Sequence, residues 1–236
     1  MNRANGLHHL AISTGDIKKQ IAFFSDVLGM ELVALYWMHG VSGTFHGFMR
    51  LNDGASVAFV QNDAIKATKA VAGVSHAGNA GAASAPGTMQ HVAFNVDSEA
   101  ELLAMRDRIR SRGVPVFGPL DHGFCKSIYF AGPEGLSLEI ATSDTPINSD
   151  AWIDPEVQAL VSIDAQELQR YRHPAPYKSE GGTIRQPAYD PSKPHQVYPP
   201  AAYQRMLTMS DEDFYKLSQP EPPVKIATRE DRRLTG

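Results

Sequence analysis

The chain has 236 residues, 42% of them hydrophobic, with 22 basic and 26 acidic side chains and a formal charge of -4. This is enough material for one or two domains with a real core, and it excludes a collagen-like, wholly disordered or disulfide-stapled chain. There is no basic run, no apolar stretch near the roughly 20 residues that span a bilayer, no apolar signal core at the N-terminus, and one cysteine, Cys125; the expectation is a cytoplasmic chain with no nucleic-acid or membrane partner.

A first module is expected over 6–61. His9-Leu10-Ala11-Ile12 reads as a strand. Asp16 then precedes an amphipathic helix over 17–28, in which Ile17, Ile21, Phe24 and Leu28 recur at helical spacing and Gly29 marks the end. Three strands follow, near 31–38, 43–51 and 55–61, with Asn52-Asp53-Gly54 turning the chain into the last. The linker, 62–88, is rich in Gly, Ala and Ser and reads as irregular; a short helix over 64–72 is compatible with it.

The second module, 89–143, repeats the layout. His91 to Val96 reads as a strand. Ser98 and Glu101 resemble a capping box ahead of a helix with Leu102, Met105 and Ile109 on one face, and Gly113 ends it. Strands are expected near 114–117, 124–130 and 136–142, the last after Pro133-Glu134-Gly135. The fold class is α+β, two βαβββ modules. The extension, 144–236, should hold one or two short helices over 152–171, an extended proline-rich stretch over 174–200 and a helix starting at Ser210-Asp211-Glu212-Asp213. It is long enough to wrap the core, cover a site or reach a neighbouring subunit.

The repeat puts His9 and His91 at equivalent places. Aligning the last strands through Gly54 and Gly135 sets Ala58 opposite Glu139. His8 is the competitor of His9; adjacent strand residues face opposite ways, and pairing Leu10-Ala11 with Val92-Ala93 selects His9. Two histidines and one carboxylate make a ligand set that leaves open positions on iron(II), and manganese(II) is accepted by the same set. Glu139 lies inside the apolar run 136–140, where an uncompensated carboxylate is costly.

With these positions in place, residues 6–142 resemble the vicinal-oxygen-chelate superfamily, and within it the type I extradiol dioxygenases. The resemblance rests on His9, His91 and Glu139 and on the run His122, Ile128-Tyr129, Pro133-Glu134-Gly135 and Glu139; Leu120 and Gly132 depart from the family's pattern. It implies one domain with a curved mixed sheet around an iron(II) held by His9, His91 and Glu139. It also implies a small aromatic diol and O₂ as reactants, in a homo-oligomer. In that family pattern His76 would take a substrate hydroxyl proton, Tyr129 would hydrogen-bond a substrate oxygen and His122 would return a proton. The readings left open are a metal-dependent isomerase or epimerase on the same scaffold, a 2-oxo-acid dioxygenase, and a non-catalytic ligand-binding resistance protein.

Overall fold

The computed structural model describes residues 3–225, so the end of the extension, 226–236, lies outside the described residues. These form two compact units. One comprises 3–37 and 43–175 and holds both modules; the other comprises 38–42 and 176–225.

In the first module, β1 (His9–Ser13), α1 (Ile17–Ala22), β2 (Glu31–Trp37), β3 (Phe45–Asn52) and β4 (Ala55–Gln61) follow in order. The second has β5 (Val92–Asn95), α3 (Glu99–Ser111), β6 (Val116–Asp121), β7 (Lys126–Ala131) and β8 (Ser137–Thr142); α2 (Asp63–Ala67) lies between them. Each module makes its own four-stranded sheet, ordered β1-β4-β3-β2 and β5-β8-β7-β6. The first strand pairs parallel with the last, and the other pairs are antiparallel. The expected βαβββ modules are therefore present.

Local chemistry explains the boundaries. Asp16 accepts from the Lys19 N–H at 3.0 Å and starts α1. The helix expected to run on to Leu28 instead widens at Ala22 into a π-helical turn, Phe23–Val27, and this brings Phe24, Val27 and Leu28 all into the core. At α3, Ser98 accepts from the Glu101 N–H at 3.2 Å, but the Glu101 carboxylate reaches back to the N–H of Asp97 rather than of Ser98.

The registers superpose the two modules. Ala58 stands opposite Ala11 and Phe48, and Glu139 opposite Ala93 and Tyr129. Module one thus has methyl and phenyl groups where module two has a carboxylate and a phenol.

One core joins the modules. Phe24, fully buried, meets Phe59 of β4 at 4.9 Å and Phe94 of β5 at 6.2 Å between ring centroids. Phe24→Ala is expected to cost about 3–5 kcal/mol. Because the ring touches both sheets, a thermal scan should show one transition moved down, rather than a separate loss of one module. A second tie is polar. Glu134, in the β7–β8 turn, accepts from Thr14 Oγ1 at 2.6 Å, Gly15 N–H at 2.7 Å and Gln20 Nε2 at 2.9 Å. It answers the buried donors at the end of β1, which is why Gln20 is buried on α1.

Beyond β8 the first unit continues through α4 (Ser149–Trp152), α5 (Pro155–Leu160) and α6 (Ala165–Arg172), three short helices capped by Asn148, Asp154 and Asp164. The other unit holds α7 (Pro200–Leu207) and α8 (Asp211–Leu217). Ser210 caps α8 as expected; α7, started by Pro199-Pro200, was not anticipated. No described helix is long and apolar enough to cross a membrane.

Candidate metal centre

The centre is built on β5 and β8. Glu139 is 5% exposed, in a strand made continuous by apolar neighbours. Its register partner on β5 is Ala93, so His91, two residues earlier, projects from the same face. Nε2 of His91 lies 2.9 Å from Oε2 of Glu139.

Gln90 orients this imidazole. Its Nε2 donates to the carbonyl oxygens of Ala80 at 2.7 Å, Ala82 at 3.2 Å and Asn79 at 3.3 Å, which turns its Oε1 to Nδ1 of His91. An amide oxygen only accepts, so Nδ1 carries a hydrogen and Nε2 is the nitrogen turned to the Glu139 carboxylate. A lone pair and a carboxylate oxygen at that separation repel unless a proton or a cation lies between them. Imidazole and carboxylate suit a divalent ion of the iron, manganese or zinc kind.

Tyr129 of β7 faces Glu139 across the sheet. Burial, opposed by a hydrogen bond with Ser127 and helped by the Glu139 charge, raises the phenol above its ordinary value. Its hydroxyl is 2.9 Å from Nε2 of His122. His122 sits in a tight turn closed by its own N–H to the Cys125 carbonyl at 2.8 Å and by Gly123 N–H to Asp121 at 2.8 Å. Gly123 is in the left-handed region (φ 82°), and a Cβ there would meet the Trp152 ring at 2.8 Å. Trp152 of α4 also packs edge-on against Phe124 at 4.8 Å, so the helix after the second module buttresses the His122 turn.

His91, Glu139, Tyr129 and His122 are therefore contiguous; His9 and His76 are not with them. His9 opens β1 and meets the rings of Phe48 at 5.5 Å and His46 at 6.5 Å, with Nδ1 2.9 Å from Nδ1 of His8. Among the described residues no three His, Cys, Asp or Glu side chains are close enough together to hold a metal. One chain thus brings together two of the three residues expected as donors. His76 holds Ser75 Oγ at 3.0 Å, and its Nε2 lies where a Cβ on Gly135 would be, 2.7 Å from that point.

Two residues gave little signal in the sequence. Gln90 is visible only as the neighbour of His91. His46, on β3, is 8% exposed with no partner for its Nε2. Burial, with repulsion from His9, holds its imidazole below the ordinary value; the sequence marks it only as a polar residue in an aromatic strand.

Residues 6–140 match the family model of the glyoxalase/bleomycin resistance protein/dioxygenase superfamily. Biphenyl-2,3-diol 1,2-dioxygenase 2 of Rhodococcus globerulus is 29% identical over 68 residues, 28% of this chain and 36% of that protein, so the chain matches little more than a third of this relative's length. Similar solved structures include a fosfomycin resistance protein from Listeria monocytogenes complexed with manganese(II), at 19% identity over 63% of this chain and 99% of that one, with a TM-score of 0.43. A lactoylglutathione lyase from Agrobacterium tumefaciens is 20% identical over 64% of this chain and 98% of its own, with a TM-score of 0.41.

Proposed function

The chain belongs to the glyoxalase/bleomycin resistance protein/dioxygenase superfamily, and we propose that it is a non-haem iron(II) extradiol dioxygenase that cleaves the ring of a catechol-type substrate with O₂. The observation that carries this reading is the His122–Tyr129 hydrogen bond set directly beside the buried His91–Glu139 pair. An acid/base histidine and a phenol next to metal donors suit proton traffic on a bound diol; a bare binding pocket has no need of them.

In this reading His91 and Glu139 are two donors to the ion, and His9 is the third donor of the set. Bound there, a divalent ion supplies Lewis acidity and a template for the diol and O₂. Tyr129, kept protonated by its raised pKa, donates its hydroxyl hydrogen to a substrate oxygen. His122 holds a proton at Nε2 and passes it towards the same oxygen through or beside the phenol, the general-acid work an imidazole commonly does. His76, the family pattern's base for the second hydroxyl, is not brought to this cluster by the single chain; its Nε2 lies against Gly135, in the turn before β8.

The test is oxygen uptake by anaerobically iron(II)-loaded protein offered a panel of catechols and hydroquinones. Uptake with a new yellow product is expected for at least one catechol. No uptake across the panel with iron confirmed in the protein sinks the dioxygenase reading and favours a non-redox member of the superfamily.

Gln90 gives an independent check. Gln90→Leu frees Nδ1 of His91 and lets the ring turn. Iron affinity is expected to fall by about 10–100-fold, the usual effect of removing a residue that orients a ligand, with the fold unchanged by circular dichroism. Unaltered affinity would remove Gln90 from the account.

A further inference from the structure

We infer that Trp152, on the first helix after the second module, is a positioning residue that holds His122 within reach of Tyr129, and that Arg172 of α6 latches Trp152 in place. This rests on reading His122 and Tyr129 as the proton-handling pair of the proposed reaction.

The first ground is the exposure of the turn that carries His122. The residue opens the four-residue connection between β6 and β7, and residues 121–123 are exposed. The bonds from the His122 N–H to the Cys125 carbonyl and from the Gly123 N–H to Asp121, both 2.8 Å, shape the turn. They do not fix its angle to the sheet. The 2.9 Å bond between Nε2 of His122 and the Tyr129 hydroxyl competes with water at such a place. A hairpin tip with few buried contacts opens easily, so a reacting group carried there needs support from outside the turn.

The second ground is where the Trp152 ring lies. A Cβ on Gly123 would be 2.8 Å from Cζ2 and 2.9 Å from Cη2 of the indole. Gly123, at φ 82°, therefore permits both the turn and the close approach of the ring. Phe124 packs edge-on against the same indole at 4.8 Å between centroids. One side chain thus grips both residues that follow His122. Trp152 is 48% exposed and is not among the residues of the core that joins the modules. Its ring is set on the turn rather than in the interior.

The third ground is the latch. With four residues, α4 is too short to be stable alone. Arg172, the last residue of α6, donates from Nη2 to Ser149 Oγ at 2.9 Å and to the Asp150 carboxylate, both at the start of α4. The capping box of Asp164 and Glu167 starts α6 in turn. The contacts from α6 through α4 and Trp152 to the turn, His122 and Tyr129 all lie within one compact unit. Both helices fall beyond residues 6–140, the part that the superfamily model matches. The support is therefore built from this chain's own extension. Shifting a reacting group by about 1 Å can slow a reaction by about 100-fold, which is the scale of effect such support can have.

The experiment reads the histidine ring signals by ¹⁵N NMR in metal-free, full-length protein, beside kcat, KM and iron binding of the loaded protein. The His122 signals are identified by their loss in His122→Ala, and their position without the phenol bond is taken from Tyr129→Phe. Trp152→Ala is expected to move them to that position. Its iron affinity should match the wild type, while kcat on a catechol falls by about 10–100-fold with KM little changed. Trp152→Phe keeps a ring on the turn and should restore most of both. Arg172→Met should move the signals the same way but less, and it tests the link if Trp152→Ala folds poorly. His122 signals that stay in place in folded Trp152→Ala and Arg172→Met overturn the inference. So do displaced signals in an enzyme that keeps the wild-type kcat. Displacement in Trp152→Ala alone overturns the latch and leaves the role of Trp152 standing. A wild type that turns over no catechol sinks the dioxygenase reading, and the His122 signals then decide the inference by themselves.

Discussion

Replacing Glu139 by glutamine is expected to empty the centre while leaving the fold in place. The side chain is 5% exposed and its Oε2 lies 2.9 Å from Nε2 of His91. Glutamine keeps its volume but removes the charge. The ligand set then falls to neutral donors, and affinity should drop by more than about 100-fold, beyond what the loss of an outer orienting residue costs. A glutamine amide N–H can donate to Nε2 of His91 where the carboxylate stood, so the metal-free variant should keep the fold of the metal-free wild type. Iron content by elemental analysis and a thermal scan of both apo proteins check the two halves of this claim. Normal iron binding by the variant would contradict the ligand assignment itself.

The second large effect separates chemistry from metal binding. His122→Ala should bind iron as the wild type does, since its side chain reaches Tyr129 rather than the His91–Glu139 pair. Turnover should fall by roughly 10²–10⁴-fold, the usual range for a positioned general acid or base. The pH profile carries the sign. The Tyr129 pKa is raised, chiefly by burial and with help from the Glu139 charge, so its protonated form persists beyond the ordinary phenol value of about 10. Any alkaline limb seen below that pH belongs to another group. Tyr129→Phe should therefore lower the rate without moving the limbs. A limb below that pH that vanishes in Tyr129→Phe would contradict the raised Tyr129 pKa.

The fold was legible because its signals are local and repeated. Alternating apolar residues in strands, Asp16 and Ser98 at helix starts, Gly29 and Gly113 at helix ends and the two turns before β4 and β8 each act over a few residues, and they occur twice. The Ala58–Glu139 equivalence read from Gly54 and Gly135 is the equivalence that the strand registers give. The His91–Glu139 contact follows from it, because both residues sit on the parallel β5–β8 pair within one module.

What the sequence left open depends on contacts between modules or with backbone. An internal repeat places His9 and His91 at matching points of two sheets, but says nothing of how edge strands β1 and β5 meet, within a chain or between chains. His76 lies in a Gly- and Ala-rich linker without a period to orient it. Gln90 acts through three carbonyl oxygens of that linker, which no side-chain pattern encodes. Gln20 and Glu134 are 114 positions apart, and each alone reads as an ordinary surface residue. The π-helical turn arises because the core accepts Val27 as well as Phe24 and Leu28, a packing outcome that helical spacing alone does not foresee.

The proposed extradiol cleavage would insert both atoms of O₂ into a catechol ring. The most direct measurement is mass spectrometry of the product formed from a catechol under ¹⁸O₂ by iron(II)-loaded protein. The account predicts a ring-opened product carrying both labelled atoms. Unchanged catechol, or a quinone formed without label, would contradict it.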